Sequence, residues 1–124
     1  MAIELNHTIV PAHDKNASAE WFAELFGLPV SEPLGPFAVV KVGSVSLDFA
    51  DRDRFESHHY AFLVGDEDFD HILRRVKERG LTYAADPMYR KPGEINRRAG
   101  GRGVYFHDRN GHNLEILTRV AEAR

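Results

Sequence analysis

The sequence contains no cysteine, which excludes disulfide bonds, metal sites built on thiolates and a cysteine nucleophile. It also has no apolar run approaching about 18 residues, so no segment is predicted to span a membrane. Positive charge is not in excess: the formal net charge is −3, which argues against nucleic acid or an anionic membrane as the main partner. Any metal ion must therefore be held by His, Asp and Glu side chains.

The length of 124 residues is about that of one domain, residues 1–124, with a modest core that leaves room for subunits to share an interface. Apolar residues make up 43% and charged residues 28%, which is ordinary for a globular protein. Residues 1–7 include Glu4 and Asn6 but no apolar run of signal-peptide length, so we expect a cytoplasmic location.

The first half of the chain predicts a strand, a helix and two further strands. Alternation over residues 5–10 predicts the first strand, with His7 on the same face as Leu5 and Ile9. The helix is predicted from apolar residues that recur at three- and four-residue steps: Trp21, Phe22, Leu25 and Phe26. Gly27 stands where a helix C-terminal glycine is expected. Strands over residues 37–42 and 45–50 follow, joined by a turn.

The second half repeats this order. Residues 59–64 predict a strand, and Asp66 opens a helix that Gly80 closes. The helix has an apolar stripe formed by Phe69, Ile72, Leu73 and Val76. Strands over residues 103–107 and 113–118 follow, separated by a turn sequence.

The two halves also match in register. Gly27 follows His7 by 20 residues and Gly80 follows His59 by 21. The segment Ser-Leu-Asp-Phe at 46–49 overlies Asn-Leu-Glu-Ile at 113–116, and the extra residues of the second half fall in a loop over 86–102. This pattern predicts an α+β protein built of two tandem β-α-β-β-β modules, at about 3–52 and 56–120, in one domain.

Three side chains of this duplicated unit are candidate metal ligands. If both modules line one concave sheet surface, then His7, His59 and Glu115 point to the same side. Two imidazoles and one carboxylate form a facial triad that leaves positions open for substrate and water. A histidine at a strand start is also commonly satisfied by the backbone, whereas a carboxylate within the apolar strand around Glu115 needs a partner.

At these residues the sequence resembles the vicinal oxygen chelate superfamily. The resemblance lies in residues 5–7 (LNH), 59–62 (HYAF) and 105–115 (YFHDRNGHNLE). That group includes glyoxalase I, fosfomycin-resistance enzymes, extradiol dioxygenases, methylmalonyl-CoA epimerase and bleomycin-resistance proteins. The resemblance implies paired β-α-β-β-β modules in a curved mixed sheet and a homodimer whose sites sometimes combine both subunits.

The resemblance also implies a ligand set and a chemistry. The metal would be Fe2+, Mn2+, Zn2+ or Ni2+ at His7, His59 and Glu115, and a small substrate would chelate it through oxygen atoms. The reaction would be of the glyoxalase/lyase, isomerase or dioxygenase type. The alternative is a protein that sequesters a drug or metabolite, as bleomycin-resistance members do, although those binders generally lack the metal ligands. A metal-carrying regulatory or storage protein is a remoter alternative.

Two further residues are candidates for catalysis. Asp48 occupies in the first half the place of Glu115 in the second, where related enzymes carry a ligand or a proton-transfer base. It would otherwise be a polar residue on the solvent side of an edge strand. Tyr105 matches an active-site tyrosine of the fosfomycin enzymes and extradiol dioxygenases, or is simply a core tyrosine. Ile9 stands where the fosfomycin enzymes have threonine, so that branch does not fit fully.

The loop over residues 86–102 and the remaining histidines are weaker candidates. The loop carries a net charge of +3 in an acidic protein, from Arg90, Lys91, Arg97, Arg98 and Arg102 against Asp86 and Glu94. It is either a lid over an anionic substrate or a flexible hairpin.

The remaining histidines have different expected surroundings. His112 lies in a turn and is expected to be solvated. His58 points away from the metal, and His107 shares the face of Tyr105.

Overall fold

The computed structural model describes residues 2–30 and 32–120. Its contacts divide the chain into two compact units, Met1–Glu56 and Ser57–Arg124. The described residues form two α-helices, of 12 and 13 residues, and neither is long and apolar enough to cross a membrane.

The first unit is a four-stranded mixed sheet with one helix. Its elements in chain order are β1 (His7–Ala12), α1 (Lys15–Phe26), β2 (Glu32–Leu34), β3 (Phe37–Val42) and β4 (Val45–Asp51). The strand order is β1-β4-β3-β2, in which β1 is parallel to β4 and the other pairs are antiparallel. The parallel pair is possible because α1 carries the chain across one face of the sheet.

Local sequence explains both ends of α1 and the face that it buries. The Asp14 carboxylate accepts a hydrogen bond from the backbone N–H of Ala17 at 3.1 Å, which caps the N-terminus. Gly27 ends the helix in the left-handed conformation, with φ 70°, as predicted. The buried Phe22 reaches the ring of Phe49 on β4, with centroids 6.0 Å apart, so the helix packs on the sheet.

The second unit repeats the same arrangement. Its elements are β5 (His59–Leu63), α2 (Asp66–Glu78), β6 (Tyr83–Ala84), a 3-10 turn (Arg98–Gly100), β7 (Gly103–His107) and β8 (Asn113–Leu117). The strand order is β5-β8-β7-β6, and β5 is parallel to β8. The apolar stripe of α2 is buried at Phe69, Ile72 and Val76, as the sequence predicts.

Arg102, at the end of the inserted loop, binds to residues of α2. Nη1 of Arg102 donates to Asp70 at 2.6 Å, and Nη2 lies 3.2 Å from the carboxylate of Asp66. The same guanidinium lies over the ring of Phe69, with 4.4 Å from its carbon to the ring centroid. The end of the loop is therefore held on the first turns of α2.

The register of the sheets confirms the predicted α+β duplication. His7 pairs with Ser46 on β4, and His59 pairs with Asn113 on β8. Two residues further along, Asp48 and Glu115 occupy corresponding positions on inner strands. Asp48 is only 6% exposed, so the alternative of a solvent-facing residue on an edge strand is wrong.

Candidate metal and substrate site

His59 and Glu115 meet on the face of the second sheet that is opposite to α2. Nε2 of His59 lies 3.1 Å from Oε1 of Glu115, whose side chain is only 12% exposed. The small Ala61 pairs directly with Glu115 on the neighbouring strand, so the imidazole two residues away can reach the carboxylate. These two atoms, called here the His59–Glu115 pair, form the centre of the candidate site.

A backbone contact fixes the ring of His59. Its Nδ1 lies 3.0 Å from the carbonyl oxygen of Asn113, and a carbonyl only accepts hydrogen bonds. Nδ1 therefore carries the proton, and in the neutral ring Nε2 presents a lone pair. A histidine that ligates a metal is commonly held in this way by its second nitrogen.

The chemistry of the pair fits a bound cation. In a neutral imidazole, the lone pair of Nε2 faces a carboxylate oxygen of Glu115, and this arrangement is repulsive unless a proton or a cation binds to both. Imidazole nitrogen and carboxylate oxygen are ligands that Fe(II), Mn(II) and Zn(II) share. Two ligands bound at about 2.1 Å and at right angles to one ion lie about 3.0 Å apart. The His59–Glu115 separation therefore suits neighbouring ligands of one ion.

Tyr105 is a buried residue on the same face of the sheet as Glu115. It pairs with Glu115 across β7 and β8, is 4% exposed, and stacks on His59 with ring centroids 5.9 Å apart. Burial raises the pKa of the Tyr105 phenol, donation from Arg98 opposes the shift, and the charge of Glu115 adds to it. The phenol consequently keeps its proton at neutral pH.

Asp48 is a buried carboxylate with an unsatisfied oxygen. Its Oδ1 has no hydrogen-bond partner among the described residues. Its direct neighbours across the sheet are Ile9 on β1 and Val39 on β3, which offer no side-chain donor. A carboxylate kept in such surroundings reduces stability, so a function in proton transfer or ligand binding is the simplest reason for its presence.

His7 lies in the first unit at the position that corresponds to His59. It is exposed, and its Nδ1 lies 2.8 Å from the side-chain oxygen of Asn6. Within residues 2–30 and 32–120, no three His, Asp or Glu side chains form a group that could hold a metal ion. The single chain thus brings together two of the three predicted ligands, and the third stays a prediction.

His112 was expected to be solvated, and this expectation is wrong. The residue is fully buried, and its Nδ1 accepts a hydrogen bond from the backbone N–H of His58 at 3.0 Å. His58 itself turns towards Tyr60, with 2.9 Å between Nδ1 and the hydroxyl, away from the His59–Glu115 pair. Burial, together with the charge of Asp108, raises the pKa of Tyr60 to about 12.

Sequence reasoning missed Tyr89, which supports the site from the inserted loop. Its hydroxyl donates to Oδ1 of Asn113 at 2.7 Å, and its ring stacks on His107 with centroids 4.6 Å apart. The carbonyl of Asn113 also holds the ring of His59. Tyr89 therefore stabilises Asn113, which in turn orients His59. Tyr89 takes a left-handed φ of 57°, a conformation that its sequence context does not reveal.

Residues 4–116 match the model of the Glyoxalase/Bleomycin resistance protein/Dioxygenase superfamily. The chain belongs to this superfamily. Among solved structures, this glyoxalase-superfamily protein is similar to the oxidase ChaP-H2, at 57% identity, TM-score 0.95 and coverage of 98% of both chains. It is also similar to the oxidase ChaP-H1, at 56% identity and TM-score 0.94, over 96% of this chain and 98% of that one.

A curated relative belongs to another branch of the superfamily. The glutathione transferase FosA of Serratia marcescens is 27% identical over 132 residues, which cover all of this chain and 86% of that protein. The resemblance to the superfamily inferred from the sequence is therefore confirmed. Identity to the two oxidases is higher than identity to FosA.

Proposed function

We propose that this protein is a divalent-metal-dependent enzyme that oxidises a small molecule chelating the metal through oxygen atoms. The observation that carries the proposal is the His59–Glu115 pair, in which Nε2 of an imidazole held by the Asn113 carbonyl faces a carboxylate oxygen at 3.1 Å. Identity of 56–57% to two oxidases over nearly the whole chain supports oxidation as the reaction.

In this proposal the metal ligands are His7, His59 and Glu115. His7 is assigned by register, because it occupies on β1 the position that His59 occupies on β5. A bound divalent ion would act as a Lewis acid on the chelated oxygens of the substrate. The proposal also includes the homodimer that the family resemblance implies. The ion is Fe2+, Mn2+, Zn2+ or Ni2+.

Tyr105 and Asp48 are assigned to proton handling. Tyr105 stays protonated because burial raises its pKa, so its hydroxyl donates a hydrogen bond to a substrate oxygen beside the His59–Glu115 pair. Asp48 offers a carboxylate oxygen with no described hydrogen-bond partner, which is free to accept a proton from a hydroxyl or an acidic carbon of the substrate.

Oxygen consumption tests the proposed reaction. Protein stripped of ions and reloaded separately with Fe(II), Mn(II), Zn(II) or Ni(II) would be mixed with catechols, which chelate through two adjacent oxygens. We expect one redox-active ion to give dioxygen uptake together with a product of increased oxygen content or decreased hydrogen content. Turnover without dioxygen uptake would instead place the enzyme among the lyases or isomerases. Tight binding of a probe without turnover or any need for metal would favour the sequestering protein.

A further inference from the structure

The inserted loop is anchored on the second sheet by Asn96. The backbone N–H of Asn96 donates to the carbonyl of Gly103 at 2.9 Å, and Gly103 returns the hydrogen bond at 3.1 Å. The Asn96 side chain donates to the carbonyl of Ala85 at 2.9 Å. A Cβ at Gly103 would come within 2.8 Å of the Asn96 side-chain oxygen, so the close approach depends on glycine at that position.

A strained turn next to this anchor presents Arg98 to the sheet. In the 3-10 turn Arg98–Gly100, Ala99 adopts a left-handed φ of 55° and Gly100 one of 76°. A left-handed alanine is unfavourable and persists only where the surroundings enforce it. Such strain is common where a backbone places a side chain at a functional site.

Arg98 reaches the candidate site through Tyr105. Its Nη1 donates to the Tyr105 hydroxyl at 2.7 Å, and the guanidinium carbon lies 5.6 Å from the centre of the ring. Tyr105 in turn stacks on His59 and pairs with Glu115. The side chain of Tyr105 therefore links the guanidinium of Arg98 to the His59–Glu115 pair.

Arg98 and Arg102, which lie in the same loop, differ in their carboxylate partners. Arg102 forms ion pairs with Asp66 and Asp70, which accounts for its presence structurally. Across residues 2–30 and 32–120, no carboxylate forms an ion pair with Arg98. A guanidinium has five N–H donors, and the one on Tyr105 leaves the others available for an anion.

We propose that Arg98 and Tyr105 together bind an anionic oxygen of the substrate, which is therefore a small acid. The anion is a carboxylate that lies adjacent to the oxygens that chelate the metal. The phenol hydroxyl donates to the anion from one side, and the guanidinium supplies charge and further donors from the other. The inference rests on the proposed function, because it names the substrate class of that same site.

Equilibrium binding of two matched probes tests this assignment. Salicylate carries a carboxylate beside its phenol, whereas salicyl alcohol carries a neutral hydroxymethyl group there. Calorimetry on metal-loaded wild type and Arg98→Gln should show a loss of salicylate affinity of about 10- to 100-fold in the variant, with salicyl alcohol nearly unaffected. Arg98→Lys should keep part of the salicylate affinity, because it retains the charge but not the planar donors.

Arg97→Gln is the matched control, since Arg97 is the adjacent exposed arginine, and it should bind salicylate as wild type does. Metal content and melting temperature are measured for every variant and should not change. Unchanged salicylate affinity in Arg98→Gln, or an equal loss for both probes, would overturn the anion site while leaving the metal site intact. A wild type that holds no metal would refute the proposed function itself, and with it this inference.

Discussion

The Glu115→Gln variant is expected to bind divalent metal at least about 100-fold more weakly than wild type, and to lose turnover with it. The substitution removes the negative charge and replaces a strong oxygen ligand with a weak one. The fold should persist, because the new amide N–H can donate to Nε2 of a neutral His59, which lies 3.1 Å from the carboxylate in wild type. Metal affinity is measured by competition with a chelator of known strength.

The matched control for this variant is Glu78→Gln, at an exposed glutamate at the end of α2 in the same unit. It makes the same chemical change without touching the site and should leave metal affinity as in wild type. A Glu115→Gln protein that binds metal as tightly as wild type does would show that the His59–Glu115 pair is only an ion pair.

Replacing Asp48 by leucine is expected to stabilise the fold by about 1–3 kcal/mol and to reduce kcat by about 100-fold or more. Leucine removes a buried oxygen with no hydrogen-bond partner among the described residues. Its side chain can pack between Ile9 and Val39, the direct neighbours of Asp48 across the sheet. A gain in stability with a loss in rate is typical of a residue retained for function. Denaturant unfolding and steady-state kinetics measure the two effects.

Two further variants separate burial from chemistry at this position. Asp53→Leu makes the same change at an exposed loop aspartate. It should not raise the free energy of unfolding and should not lower kcat. Asp48→Asn keeps the shape but cannot act as a base, so its rate should fall as far as that of Asp48→Leu. If Asp48→Leu unfolds more easily than wild type, the carboxylate has a structural partner and the assigned role is wrong.

Much of the fold could be predicted because its determinants are local. The apolar stripe of α2 and the positive φ of Gly27 follow from residues within a few positions of one another. The short strands β2 and β6 were missed individually, since a strand of three exposed residues or of two carries no periodic pattern. β1 begins at His7, two residues later than predicted.

The site was less predictable because its contacts join distant parts of the chain. The alternation of β8 placed Glu115 on one face, but only the pairing of Ala61 with Glu115 explains why His59 can reach it. The buried His112 accepts its hydrogen bond from His58, 54 positions away in the chain. Arg98 was visible only as one charge of a basic loop, because a strained turn gives no signal in the sequence.

The two halves carry side chains of different size at corresponding positions. Ala61 leaves room beside Glu115, whereas the bulkier Ile9 pairs with Asp48 in the first unit. No ion pair between His7 and Asp48 forms within the described residues. In the first unit His7 instead contacts Asn6, and Oδ1 of Asp48 has no hydrogen-bond partner among the described residues.

We propose that His7 completes, with His59 and Glu115, a site for one metal ion per chain. The most direct test is the metal content of protein purified without added ions, measured by mass spectrometry for wild type, His7→Ala and the exposed-histidine control His13→Ala. We predict about one ion per chain in wild type and in His13→Ala, and less than about a tenth of that in His7→Ala. Full metal content in His7→Ala would contradict the claim.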